Sequence, residues 1–235
     1  MRKVSLHHYT QDDLDSYMAN DYISSWLAVN AAQSEQELGC NKWLTDSPIK
    51  RLIFHDIYGE LLGEKKGQNI LDIGGGVTAY TKILGDLHNY TLVDMLSHDD
   101  QAIAESIFRE HNITFLKDDW YNASFKNRFD IVICNDLFPN VDQRIKIFLR
   151  TLLPISTSLY VLLTYHNNDR FYKVKRTDAD EIMFLQAWSG QQLRQILEGI
   201  FPELEKSALA GLSSDRPSLY ANGRLISLLK VEQSL

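Results

Sequence analysis

The residues able to do chemistry in this chain stand at the ends of short apolar runs. Asp72, Asp94, Asp118-Asp119 and Asn135-Asp136 each follow such a run, and Tyr165-His166 follows a fifth. One such acid would mean little, because loops are polar. Five in succession put hydrogen-bond acceptors and an imidazole along one line of strand ends. The most informative stretch surrounds the first: Asn69-Ile-Leu-Asp72-Ile-Gly74-Gly75-Gly76-Val-Thr78-Ala79-Tyr80. Residues 69–73 have the apolar character of a buried parallel strand, and a helix is expected through Tyr80 to about Leu87. A strand, a glycine turn and a helix start bring backbone N–H groups and the positive helix end to face a ligand. Glycine there permits positive φ and close approach, since no Cβ intervenes. A merely structural turn needs one glycine or two, so three together read as a ligand site.

Two ligands fit that fingerprint. Gly74-x-Gly76-x-x-Ala79 satisfies the dinucleotide form, and Asp94 follows at a distance suited to holding a ribose, which would make a nicotinamide or flavin oxidoreductase. Asp72 argues against it, because a carboxylate two residues before the first glycine repels a pyrophosphate. S-adenosylmethionine has an α-ammonium and a sulfonium and no phosphate, so it would welcome that carboxylate.

The elements that must position these groups alternate along the chain. Asp46-Ser47-Pro48 starts a helix that runs to about Leu62. Strands follow at 69–73, 90–93, 113–116, 129–134 and 159–164, with helices expected at 80–87, 99–111 and 143–153 between them. Such alternation implies an α/β fold, doubly wound around a mainly parallel sheet. Residues 1–46 carry Tyr9, Tyr17, Tyr22, Trp26 and Trp43 and read as a helical N-terminal extension, too short to bury a core alone. It is either a packed appendage or a lid. Residues 167–187 form a polar insertion within the domain of residues 47–235. Ser189 caps a helix at 190–199, and 205–209 with 224–231 read as an antiparallel pair of strands.

Length and composition narrow the function classes. The 235 residues suit one such domain with additions, and 44% hydrophobic with 23% charged residues are ordinary globular values. A formal charge of −7 argues against a nucleic-acid binder. No apolar run is long enough to span a membrane, and the basic N-terminus has no apolar stretch behind it that would read as a signal peptide. Cys40 and Cys134 form no paired motif, which fits a reducing cytoplasm. His7-His8 lacks neighbouring cysteines or spaced acids, so no metal is expected.

Residues 69 to about 165 resemble the class I S-adenosylmethionine-dependent methyltransferase domain of small-molecule type. The resemblance rests on Asn69-Ile-Leu-Asp-Ile-Gly-Gly-Gly, Tyr90-Thr-Leu-Val-Asp94, Phe115-Leu-Lys-Asp-Asp119-Trp120 and Phe129-Asp-Ile-Val-Ile-Cys-Asn-Asp-Leu-Phe, in that order. It implies a Rossmann-like, seven-stranded sheet whose last strand is reversed, supplied by the tail. It also implies S-adenosyl-L-methionine as cofactor. Asp72 would then meet the methionine ammonium, and Gly74, Gly75 and Gly76 would let the backbone approach the methionine and ribose. Asp94 with Met95 would hold the ribose hydroxyls, and Asp119, or Asp118 beside it, the adenine amino group. Trp120 would flank the ring, and Asn135 would complete the cofactor set. Thr78 stands where the family often has a third alternate glycine.

On the acceptor side, Asn135-Asp136-Leu-Phe-Pro139 is not the Asn-Pro-Pro-aromatic loop of enzymes that methylate base amino groups or glutamine. A small-molecule acceptor follows, with an oxygen nucleophile preferred to nitrogen. Methyl transfer needs alignment and, for an alcohol or phenol, a base. His166 is the first candidate base and His55 the second; Asp136 would orient the substrate or cap the turn. Tyr165, Arg170 and Arg176 are candidate substrate contacts, because Arg170, Lys173, Lys175 and Arg176 crowd one segment of an acidic chain. That segment is either a solvated charge run or a site for phosphate or carboxylate. A catalytically silent partner subunit that binds the cofactor is a further alternative.

Overall fold

The computed structural model describes residues 2–30, 38–63, 65–97, 99–139, 141–175 and 182–233. The chain divides into two compact units, Gln11–Ile133 and Met1–Thr10 with Cys134–Leu235. Strand β5 (Phe129–Phe138) begins in the first and ends in the second.

In the Gln11–Ile133 unit, β2 (Asn69–Ile73) pairs in parallel with β3 (Asn89–Val93), Asp72 opposite Leu92. β3 pairs in parallel with β4 (Thr114–Leu116). Ile70, Leu71, Ile73, Leu92 and Val93 are buried, as expected of parallel strands covered on both faces. α5 (Ala79–Leu87) starts on a capping box: Thr78 Oγ1 accepts from Tyr80 N–H at 3.2 Å, and Thr81 Oγ1 accepts from Thr78 N–H at 3.0 Å. α6 (Gln101–Glu110) is capped by Asp100, which accepts from the N–H groups of Ala102 and Ile103. α4 (Pro48–Tyr58) begins with Ser47 as cap and proline in its first turn, as the sequence requires, and a 3-10 turn (Gly59–Leu62) extends it.

The N-terminal helices α1 (Gln11–Met18), α2 (Tyr22–Asn30) and α3 (Gly39–Asp46) belong to the same unit. The buried Arg51 guanidinium ties them to α4. It forks onto Asp21, with Nε at 2.9 Å and Nη2 at 2.8 Å from Oδ2, and also donates to the Leu44 and Thr45 carbonyls. Tyr17 donates to the same Asp21 carboxylate at 2.7 Å. Ile23, Leu27, Leu44, Ala79 and Tyr80 share one apolar cluster, in which Trp26 packs against Tyr80 at 4.5 Å between ring centroids.

In the other unit, β9 (Leu225–Gln233) runs antiparallel to both β6 (Ser156–Tyr165) and β1 (Arg2–His8). The seven strands follow the order β1-β9-β6-β5-β2-β3-β4. β9 is the reversed strand that the sequence assigned to the tail, but its outer partner differs from expectation. That partner is Arg2–His8, in residues expected to be helical, whereas 205–209 lie in a helix, α9 (Lys206–Ser213), apart from its cap Glu205. The exchange has a packing cause: a Cβ on Gly211 of α9 would overlap the His8 ring, so glycine lets helix and strand close together. The remaining helices are α7 (Ile145–Leu152), followed by a 3-10 turn (Leu153–Ile155), and α8 (Gly190–Ile200), capped by Ser189. The polar insertion is a two-stranded antiparallel ribbon, β7 (Arg170–Lys175) with β8 (Ile182–Ala187). No helix among the described residues is long and apolar enough to cross a membrane.

Candidate functional site

Gly74 and Gly76 adopt φ values of +70° and +65°, the left-handed conformation that side chains disfavour. Gly75 is needed for a different reason: a Cβ there would meet the Asp72 carboxylate at 2.5–2.6 Å. The loop therefore wraps the side chain of the strand that precedes it. Asp72 has only 1% of its surface exposed, and its Oδ2 accepts from Tyr90 at 2.7 Å and Tyr58 at 2.9 Å. Its Oδ1 is buried without a partner among the described residues. Burial pushes this carboxyl up to about 6, against the two tyrosine hydrogen bonds, and the nearby Asp94 adds to the rise.

The N–H groups of the loop are almost fully used within the chain. Gly74 donates to the Val93 carbonyl at 2.9 Å, Gly76 to Asp94 Oδ2 at 3.1 Å, Val77 to Asp99 Oδ2 at 3.1 Å and Ala79 to Asn41 Oδ1 at 3.0 Å. Asp94 also draws the chain after β3 back on itself, since its Oδ1 accepts from Leu96 N–H at 2.7 Å and Leu96 is left-handed at φ +51°. Asp99 reaches in the other direction and accepts from Cys40 N–H at 3.1 Å. Cys40 Sγ fills the space where a Cβ of Gly76 would stand, and burial with the Asp99 and Asp94 charges pushes its thiol up. Asp72, Gly74–Gly76 and Asp94 are thus brought together as the sequence indicated. Asp99, Cys40, Asn41, Tyr58 and Tyr90 join them without having been expected. Asp99 was legible only as the start of a helix.

The expected adenine residues occupy a tight turn after β4. Asp118 accepts from Asp119 N–H at 2.7 Å, and Asp119 accepts from Tyr121 N–H at 2.9 Å. Asp118 is exposed and Asp119 half-buried, while Trp120 is buried. Met95 is exposed and Asn135 is buried. His55 lies among the N-terminal aromatics, 5.2 Å from the Tyr22 ring and 5.6 Å from that of Tyr17, with Nδ1 3.0 Å from Asp56. Its neighbours are thus these aromatic rings and the Asp56 carboxylate.

The acceptor-side candidates stand in the other unit. His166 follows β6, and its main chain is held by Trp188 O at 2.8 Å and Gly190 N at 3.1 Å. The residue is 7% exposed and its Nδ1 is buried without a partner among the described residues. Burial, with Arg170 and Arg224 nearby, lowers its basicity, so the ring is neutral at pH 7. Tyr172 lies 6.0 Å away between ring centroids. Arg170 donates to the Asn222 carbonyl at 3.0 Å. Asp136, left-handed at φ +62°, faces Arg224 Nη1 at 3.3 Å, and the Arg224 guanidinium lies 4.1 Å over the Tyr220 ring with Nε unpartnered. Arg224 was read only as the beginning of a strand. Arg176 lies outside the described residues.

Tyr165 does not join this group. Its hydroxyl is used in a buried relay: Arg216 Nη2 donates to it, it bonds Ser227 Oγ at 3.0 Å, and Ser227 bonds His8 Nδ1 at 2.7 Å. His8 Nε2 completes the relay on the Ala208 carbonyl at 2.7 Å. The Tyr165 hydroxyl and both nitrogens of His8 are thus engaged within the fold.

No family model matches the chain, and no curated protein is similar to it in sequence. Solved structures share its fold at low identity. The plantazolicin methyltransferase BpumL, in complex with a triazolic desmethylPZN analog and SAH, superposes with a TM-score of 0.50 at 14% identity, over 96% of this chain and 100% of that one. Coclaurine N-methyltransferase bound to N-methylheliamine and SAH gives 0.48 at 13% identity, over 96% and 89%. The 1,6-didemethyltoxoflavin-N1-methyltransferase of Burkholderia thailandensis gives 0.46 at 11% identity, over 96% and 92%. The seven-stranded, mainly parallel sheet with its reversed strand and flanking helices is the Rossmann-like methyltransferase fold.

Proposed function

We propose that this chain is an S-adenosylmethionine-dependent methyltransferase acting on a small molecule. The observation that carries the reading is how the glycine loop spends its hydrogen bonds. The N–H groups that would cradle a pyrophosphate are taken by Asp94, Asp99, Asn41 and the Val93 carbonyl, and the loop encloses a third carboxylate, Asp72. A dinucleotide phosphate would meet acids and few donors; a ligand with a cationic end meets an unpartnered acceptor, Asp72 Oδ1. The fold shared with BpumL, itself bound to SAH, agrees with this choice.

When bound, the cofactor supplies an activated methyl group on a sulfonium. Asp72 Oδ1 takes its α-ammonium, and Asp94, which is acceptor-only when ionised, takes the ribose hydroxyls. Asp119, with Asp118 as neighbour, accepts from the adenine amino group beside Trp120. On the acceptor side, neutral His166 takes the proton of a hydroxyl nucleophile at Nδ1. Arg224 and Arg170 give the site its preference for an acceptor bearing carboxylate or phosphate, with Arg224 steadied by Asp136. Titrating the purified chain with S-adenosylhomocysteine and with NAD tests the cofactor reading. The expected result is saturable binding of the first and none of the second; binding of NAD alone would reverse it.

A further inference from the structure

Asn41 lies in α3 with 1% of its surface exposed. Its Oδ1 accepts from Ala79 N–H at 3.0 Å, at the first residue of α5. That bond fixes which way the amide points, because only the oxygen can accept. The other end, Nδ2, is a buried donor with no partner among the described residues. At the end of β2, enclosed by the same loop, Asp72 Oδ1 is a buried acceptor with no partner among the described residues. Buried polar atoms are rarely left unmade, and two of opposite sense beside one glycine loop call for a group that offers both an acceptor and a donor. The start of α3 is registered tightly enough to present such a donor: Cys40 N–H is on Asp99, Cys40 Sγ is against Gly76, and Asn41 is on Ala79.

We propose that Asn41 determines recognition of the amino-acid end of the ligand, its Nδ2 donating to an α-carboxylate while Asp72 Oδ1 takes the α-ammonium. The proposal rests on the cofactor reading above and extends it to the N-terminal segment. α3 contributes a recognition residue, so the extension is part of the cofactor site and more than a cover. A nucleotide without an amino acid satisfies neither atom.

Three ligands isolate the effect in calorimetric titrations of the full chain: S-adenosylmethionine, its decarboxylated form, which keeps the ammonium and sulfonium, and methylthioadenosine, which lacks the whole amino-acid end. Asn41→Asp keeps the acceptor for Ala79 and replaces the donor with a second oxygen, which carries negative charge when ionised and so repels a carboxylate. The wild type should bind S-adenosylmethionine about 10–100-fold more tightly than the decarboxylated form, the scale of a hydrogen bond to a charged group. N41D should erase that preference while binding methylthioadenosine as the wild type does. Equal wild-type affinity for the two sulfonium ligands would overturn the proposal without any variant, as would an N41D chain that retains the preference. A wild type that binds none of the three would instead sink the cofactor reading.

Discussion

Asp72→Asn offers a sharp test of the site's electrostatics, because the wild-type carboxyl is buried and its proton affinity is displaced in a known direction. Burial raises it from 3.8 to about 6, with two tyrosine hydrogen bonds opposing the rise. The folded state therefore keeps a proton that the unfolded chain releases between those values, and stability falls as pH rises through that window. The full cost of the ionised group, about 3 kcal/mol, is reached above pH 6, and roughly half of it is present at pH 5. Asparagine cannot ionise, so the term vanishes in the variant. Its NH2 replaces an oxygen that has no donor, which costs about 1–3 kcal/mol at every pH. That offset shifts the variant's stability curve without tilting it. The stability of D72N relative to wild type should then rise by about 1.5 kcal/mol between pH 5 and pH 8, nearly all of it below pH 7. Urea unfolding of both ligand-free proteins across that range measures the difference. Affinity for S-adenosylhomocysteine should fall about 10–100-fold in the same variant, since its ammonium loses a charged partner. A stability difference that stays constant from pH 5 to pH 8 would refute the assignment of the raised group to Asp72.

Two further substitutions probe the loop and the acceptor side. Gly76→Ala forces a side chain into a left-handed φ and onto Cys40 Sγ, so it should destabilise the chain by about 2–4 kcal/mol and weaken cofactor binding; thermal melts and titration read both. Arg224→Met leaves Asp136 without its guanidinium and removes a buried donor. Transfer of labelled methyl into acidic metabolites should drop about 10–100-fold while S-adenosylhomocysteine affinity is unchanged, and an undiminished transfer would remove Arg224 from the acceptor site.

Local features were the legible ones. The strand at 69–73, the glycine turn, the Ser47-Pro48 start of α4 and the Ser189 cap are written in neighbouring residues, and their geometry is as expected. What escaped sequence reading depends on partners far apart in the chain. Asp99 reaches Cys40 across 59 residues, and Arg224 reaches Asp136 across 88. Nothing in the vicinity of either acid announces a loop clamp or an ion pair. Arg2–His8 gave no strand signal because only Leu6 of the seven is buried; its place comes from pairing with β9, not from its own alternation. Residues 205–209 were read as a strand beside a Ser/Pro/Gly-rich connection, but Leu209 and Leu212 are the buried positions, a spacing of three that suits one face of a helix. Tyr165 and His166 are adjacent and were grouped for that reason. The relay through Ser227 takes up the tyrosine hydroxyl, while the imidazole nitrogen Nδ1 remains buried without a partner.

The glycine loop can therefore be understood as a structure completed in advance of its ligand. Most loop N–H groups that a phosphate would need already stabilise the fold through Asp94, Asp99 and Asn41, so the bound geometry is held without waiting for ligand contacts. Such pre-organisation lowers the ordering cost of binding. It also sets the specificity. Among the described residues, Asp72 Oδ1 and Asn41 Nδ2 stand beside the loop as one acceptor and one donor, both buried and without a partner. Because buried hydrogen-bonding groups are costly when unmatched, a ligand that lacks either complement gains little there, whatever its nucleoside offers. Burial, with Asp94 nearby, raises the proton affinity of Asp72, and a cationic ligand end offsets that penalty where a pyrophosphate would add to it.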